Sequence, residues 1–169
     1  DKIECNPLFV GGALYATSPR ATVFALNGAD GREIWRFSPV DDAKARGESP
    51  ADLGEQRVNR GVAYWAHDGD RRILTTHGHY LFAIDAASGR PVQTFGDGGR
   101  IDFKLDQKIG RDLGSVLVTS TTPGALYHDL YILPLTTTEG PGPAAPCDLC
   151  AYDVRSGQRA WVFHTIPRP

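Results

Sequence analysis

One eleven-residue phrase occurs three times in this chain. Residues 25–35 read ALNGADGREIW, residues 83–93 read AIDAASGRPVQ, and residues 151–161 read AYDVRSGQRAW. The copies align without gaps. Ala25, Ala83 and Ala151 hold the first position, Asn27, Asp85 and Asp153 the third, Gly31, Gly89 and Gly157 the seventh, and Trp35, Gln93 and Trp161 the last. Each copy reads as strand, tight turn, strand. The short Asn or Asp side chain can bond amides across the turn, and the glycine can take the positive φ such a turn requires. A small alanine opposite tryptophan lets the indole lie flat against backbone.

The residues upstream of each phrase are also regular. Two short strands meet around Gly11 and Gly12, two around Asp68, Gly69 and Asp70, and two around His128 and Asp129. Each unit therefore reads as a four-stranded up-and-down sheet. The units span about 6–38, 60–96 and 115–164. Four-stranded units repeated along a chain are the signature of β-propeller blades. The fold class is all-β: about three four-stranded antiparallel blades forming one partial propeller domain over residues 1–169. The 19 glycines and 12 prolines among 169 residues exceed the average combined share of about 12%, which favours turns over helices. The polar connectors, 39–59 and 97–114, are long for a compact fold, and such connectors tend to carry function.

Composition excludes some classes. The net charge is -2 with no basic cluster, so nucleic acid is not an expected partner. No run approaches eighteen apolar residues, so no helical span is expected. Cys147 and Cys150 form a C-x-x-C pair but lack the second pair of a zinc ribbon and lead into a strand. They read as packed thiols or a local disulfide. Cys5 reads as a small buried apolar residue. His77 and His79, in HGH, read as a turn between strands.

The phrase A-x-D-x-x-x-G-x-x-x-W resembles the tryptophan-docking motif of dehydrogenases that use pyrroloquinoline quinone (PQQ). The segments ECNPLFVGGALYATSP, VNRGVAYW, FGDGGRIDF and AYDVRSGQRAWVFHTIPRP are similar to successive landmarks of that family, in the same order. The nearest branch by this resemblance is the membrane-associated glucose dehydrogenase type. The resemblance implies an eight-bladed propeller of which this chain is an N-terminal part, with the remaining blades as its partner. It also implies a periplasmic, membrane-associated location, PQQ and calcium as cofactors, a sugar or alcohol as substrate, and a membrane quinone as electron acceptor. The alternative is a non-catalytic propeller, a scaffold or assembly protein built on the same docking repeats.

The same resemblance places Arg60 on a PQQ-contacting arginine, Thr121 on a cofactor-contacting threonine, and Glu139 on a calcium ligand; Asn59, Thr137 and Thr138, put beside them by the order of the strands, are candidate cofactor contacts. An arginine can grip a PQQ carboxylate through two parallel hydrogen bonds, and a loop carboxylate suits calcium. With strands in sequential order, the connection into the first strand and the turn between the second and third lie at one end of a blade. Asn59 and Arg60 are therefore expected to share a face with residues 136–139. The catalytic aspartate and a calcium-binding asparagine are expected beyond residue 169, so no general base is named. Two positions depart from the pattern. Gly54 and Glu55 stand where the methanol-oxidising branch has adjacent cysteines, and Gln93 stands where the second phrase should carry tryptophan, so blade two must dock by another contact. Both indoles, Trp35 and Trp161, are expected to be largely buried.

Overall fold

The computed structural model describes residues 4–54, 58–106, 113–138, 140, 142 and 144–166. Its three four-stranded antiparallel sheets follow one another along the chain. The first comprises β1 (Leu8–Val10), β2 (Ala13–Thr17), β3 (Val23–Asn27) and β4 (Glu33–Phe37), in that order. The first connector carries α1 (Pro39–Ala45) and a 3-10 turn, Pro50–Leu53. Sheet two follows as β5 (Ala63–His67), β6 (Asp70–His77), β7 (Tyr80–Asp85) and β8 (Arg100–Asp102), and then the short α2 (Phe103–Asp106). Before sheet three lies β9 (Val118–Thr119). Sheet three orders β10 (Ala125–Tyr127), β11 (Leu130–Pro134), β13 (Leu149–Asp153) and β14 (Arg159–Phe163), while β12 (Thr136–Thr137) leaves it to pair with β9. Among the described residues, helix is confined to the connectors, and no helix is long and apolar enough to cross a membrane.

The three phrases fold into one turn. In each, the amide of the third residue donates to the carbonyl of the eighth: Asn27 to Arg32, Asp85 to Arg90 and Asp153 to Gln158, all at 2.8 Å. The glycine amide returns to the third residue's carbonyl at 2.8, 2.9 and 2.8 Å, with φ of +72°, +73° and +77° at Gly31, Gly89 and Gly157. The Asx oxygen binds a nearby amide: Asn27 accepts from Ala29, Asp85 from Ser88, and Asp153 from Ser156. Ala25 stands opposite Trp35, and Ala151 opposite Trp161, as the pairing of small with large requires.

The sheets pack face to face. β6 and β7 are buried on both sides, because successive side chains point to opposite faces. Ile73, Phe82 and Ile84 join Tyr15, Trp35 and Phe37 of sheet one. Leu74, Leu81 and Ala83 join Tyr131, Leu133 and Tyr152 of sheet three. The joint between sheets one and two is made by Trp35. Its indole lies against Gly89, and its Nε1 donates to the Ala86 carbonyl at 3.0 Å, which also accepts from the Tyr15 hydroxyl.

Blade two docks by other means. Its fourth strand is β8, later than the 60–96 span expected for the blade. Pro91 makes a single bridge to Ile84, the chain then loops out through residues 93–99, and pairing with β7 resumes at Arg100. The break puts Gly96 and Ile101 against Gly157, where a tryptophan would otherwise lie, and Gly96 N donates to Ser156 O at 2.8 Å. Arg72 reinforces this joint. It is held by the Asp70 carboxylate and donates Nη1 to the Val154 and Arg155 carbonyls at 2.8 Å. The Trp65 indole N–H binds Asp129 across the same boundary.

Two further expectations are corrected. Trp35 is 8% exposed but Trp161 is 38% exposed, because no sheet among the described residues covers the face that bears it. The cysteines form no disulfide. Cys150 is buried but Cys147 is exposed, and Cys5 is half-buried, its sulfur accepting a bond from the Thr17 amide rather than packing among apolar groups. Gly78 and His79 form the turn between β6 and β7.

Candidate active site at the blade entries

The three segments that lead into the first strands of the sheets lie side by side. Asn6 N donates to Arg60 O at 3.0 Å, and Arg60 N donates to Thr121 O at 3.0 Å. Arg60 is thus the middle rung of a backbone ladder across three blades. Gly61 allows the close approach: its φ is +137°, and a Cβ there would stand 2.9 Å from the Asn6 carbonyl oxygen.

The Arg60 side chain turns to the same neighbour as its backbone. Nη1 donates to Thr121 Oγ1 at 2.8 Å, and Nη2 lies 3.3 Å from the Glu4 carboxylate. The side chain remains 44% exposed, so a guanidinium with five N–H donors still presents an edge to solvent. On either side of Thr121, Ser120 Oγ and Thr122 Oγ1 are buried without a hydrogen-bond partner in the protein. Buried hydroxyls without partners are uncommon and call for an explanation.

Asn59 is placed differently from its neighbour. It is buried, and both ends of its amide are engaged. Oδ1 accepts from Thr17 Oγ1 and Gly61 N, and Nδ2 donates to Thr76 O and, at 3.4 Å, to Thr75 Oγ1. It ties blade one to blade two and fixes the backbone from which Arg60 projects.

Thr136 pairs with Thr119 and Thr137 with Val118, so this segment lies two residues along from Thr121. The end of β11 and the entry to sheet three therefore share one end of the molecule, the face expected from the strand order. Thr137 is buried, its Oγ1 accepting from Ala145 N, while Thr138 is exposed. Glu139 lies outside the described residues. The sequence reading did not single out Glu4, Ser120, Thr122 or Thr76. The run of four hydroxyl residues at 119–122 was the signal available for two of them.

His77 closes β6 on this side and is buried. Burial, with a smaller contribution from His79, pushes its pKa down to about 4. Burial also lowers His79, against the pull of Asp102. The folded value of His77 lies below the unfolded 6.5, so the fold favours the neutral ring. Its contribution to stability is full above pH 6.5 and is lost as the pH falls through 4, about 3 kcal/mol in all. Urea unfolding of the chain at pH 7 and pH 4 should show this loss, and His77→Gln should remove most of it. An unchanged pH dependence in that variant would contradict the assignment.

A family model described as PQQ, glucose/ethanol/alcohol dehydrogenase, beta-propeller domain, matches residues 1–169. The chain belongs to the PQQ-dependent dehydrogenase family. It is 33% identical to the quinohemoprotein alcohol dehydrogenase ADH-IIG of Pseudomonas putida over 168 residues, 98% of this chain and 20% of that protein. It is 28% identical to the quinoprotein glucose dehydrogenase of Gluconobacter oxydans, over 95% of this chain and 21% of that protein. The solved structure of ADHIIG from Pseudomonas putida HK5 superposes with a TM-score of 0.67 at 28% identity, covering 98% of this chain and 21% of that one. The quinohemoprotein alcohol dehydrogenase of Comamonas testosteroni shares the fold, with a TM-score of 0.69 at 24% identity over 98% of this chain and 21% of that one. The chain thus spans about a fifth of the length of the relatives it matches.

The residues present fit the cofactor of this PQQ-dependent dehydrogenase family. PQQ carries three carboxylates. The blade-entry ladder offers a half-exposed guanidinium, a donor suited to carboxylate oxygens, and the residues on either side of its Thr121 partner carry buried hydroxyls that lack protein partners. A cavity of about 560 Å³ lies elsewhere and shares no residue with the ladder. Tyr80, Arg100, Ile101, Asp106 and Arg159 are among its lining residues.

Proposed function

We propose that this chain contributes the cofactor-gripping blades of a PQQ- and calcium-dependent dehydrogenase that oxidises a sugar or alcohol hydroxyl to a carbonyl. One observation supports this reading most: Arg60 is fixed by its backbone to blades one and three, yet its guanidinium is left partly free beside Thr121. When bound, PQQ supplies a quinone that accepts the hydride from the substrate carbon. The chain's own part is to bind and orient. Arg60 holds a cofactor carboxylate, and Thr121 keeps the guanidinium turned toward it. Ser120 and Thr122 add hydroxyl donors, and Asn59 holds the arginine's backbone. Thr137 and Thr138 lie along the same edge, and Glu139, the next residue, is a calcium ligand in this reading. Electrons pass on to a membrane quinone, in a periplasmic enzyme associated with the membrane.

Reconstitution tests this. The longer protein that contains this chain, stripped of metal and cofactor, should regain dye-reducing activity with glucose or an alcohol only when PQQ and calcium are both supplied. Glu139→Gln should raise the calcium needed for half-reconstitution by about tenfold or more, as expected for loss of a ligand carboxylate. Activity that needs neither addition would overturn the reading, and an unchanged calcium requirement in Glu139→Gln would remove that residue from the site.

A further inference from the structure

Thr76 lies near the end of β6. Its side chain faces sheet three, on the same side of β6 as Leu74, and it is 3% exposed. Its hydroxyl donates to the Ser120 carbonyl at 2.6 Å, and its own carbonyl accepts from Asn59 Nδ2 at 3.0 Å. These two contacts fall on the residues immediately before the two site residues that touch: Asn59 precedes Arg60, and Ser120 precedes Thr121. One residue of blade two therefore holds both segments whose spacing sets the 2.8 Å contact between Arg60 Nη1 and Thr121 Oγ1.

We propose that Thr76 is a positioning residue for the cofactor site, setting the distance between Arg60 and Thr121 from beneath without touching the cofactor. The inference rests on the reading of Arg60 and Thr121 as cofactor contacts. Without the Thr76 hydroxyl, the carbonyl of Ser120 keeps no side-chain anchor to blade two, while the Asn59 anchor, made to the Thr76 backbone, survives. The segment 120–122 is then tied to residue 60 by the single rung from Arg60 N to Thr121 O, about which it can pivot and carry the Thr121 side chain away from the guanidinium. A shift of about 1 Å at a binding constellation is enough to be felt in affinity and rate.

The test is made on the longer enzyme with Thr76→Val, which keeps shape and backbone carbonyl but removes the donor. PQQ affinity is read by titrating the apoenzyme and following the cofactor's absorbance. Thr76→Val should weaken PQQ binding by about tenfold, with little change in KM for the substrate. Thr76→Ser should restore affinity to within about twofold of the parent, since it returns the hydroxyl. In the double variant with Arg60→Ala, the two losses should fall well short of adding, because both act on one contact. A general loss of stability would instead add to the effect of Arg60→Ala and lower the urea midpoint in parallel. If Thr76→Val does not fold, Thr76→Cys, of similar size and a weak donor, takes its place with the same expected ordering. PQQ affinity within twofold of the parent for a variant lacking the donor overturns the proposal, and so does full additivity. If Arg60→Ala also leaves PQQ binding unchanged, the underlying reading of the site has failed. If Arg60→Ala weakens binding and Thr76→Val does not, only the positioning role has failed.

Discussion

Gly89→Ala should cost the chain about 3 kcal/mol or more, while Gly31→Ala, the same change in the same turn, should cost about 1 kcal/mol. The two glycines have φ of +73° and +72° and make the same backbone bonds. The conformational penalty of adding a Cβ at positive φ is therefore common to both. What differs is the neighbour. A Cβ on Gly89 would lie 2.7 Å from Cδ2 and Cε3 of the Trp35 indole, whereas one on Gly31 would meet nothing within 4 Å. The indole would have to move. Its bond to Ala86 O and part of the core shared with Phe82 and Ile84 would move with it. Overpacking of this kind costs about 1–3 kcal/mol, and a lost buried hydrogen bond adds about 1. Urea midpoints of the three proteins give the comparison. Equal losses in the two variants would show that the glycine serves the turn alone and that the docking of blade one on blade two does not depend on it.

Arg60→Ala should weaken PQQ binding to the apoenzyme by at least about 2 kcal/mol, roughly thirtyfold. Arg60→Lys should recover only a small part, because an ammonium cannot place two parallel bonds on one carboxylate. Neither substitution should unfold the protein. The side chain is partly exposed, and its contacts with Thr121 and Glu4 lie at the surface, where ion pairs contribute little to stability. The backbone rungs to Asn6 and Thr121 persist in either variant. An affinity within twofold of the parent would remove Arg60 from the cofactor site.

What was legible in the sequence was local. The turn of each phrase is closed by contacts within five residues, all carried by the Asn or Asp and the Gly, so its form follows from those letters. The four-stranded sheets followed from the alternation around each turn. Arg60 and Thr121 could be named from a motif, but not the bond between them, which joins residues 61 apart. The bond from Thr76 to Ser120 carries no local signal either, since it spans 44 residues and depends on how two blades face each other. The fourth strand of blade two was misplaced for a related reason. The second phrase, read as strand, tight turn, strand, put that strand directly after Gly89. The pairing that resumes at Arg100 is accompanied by the seating of Ile101 against Gly157, which no short window of sequence contains. The exposure of Trp161 depends on what covers its face, not on the phrase it closes.

A crystal structure of the longer enzyme loaded with PQQ will show whether the blade-entry ladder grips the cofactor. The Arg60 guanidinium should lie about 3 Å from a PQQ carboxylate, with Thr121 Oγ1 still bonded to Arg60 and the hydroxyls of Ser120 and Thr122 turned to the cofactor. A PQQ molecule bound elsewhere, with Arg60 facing only solvent and Glu4, would contradict that grip.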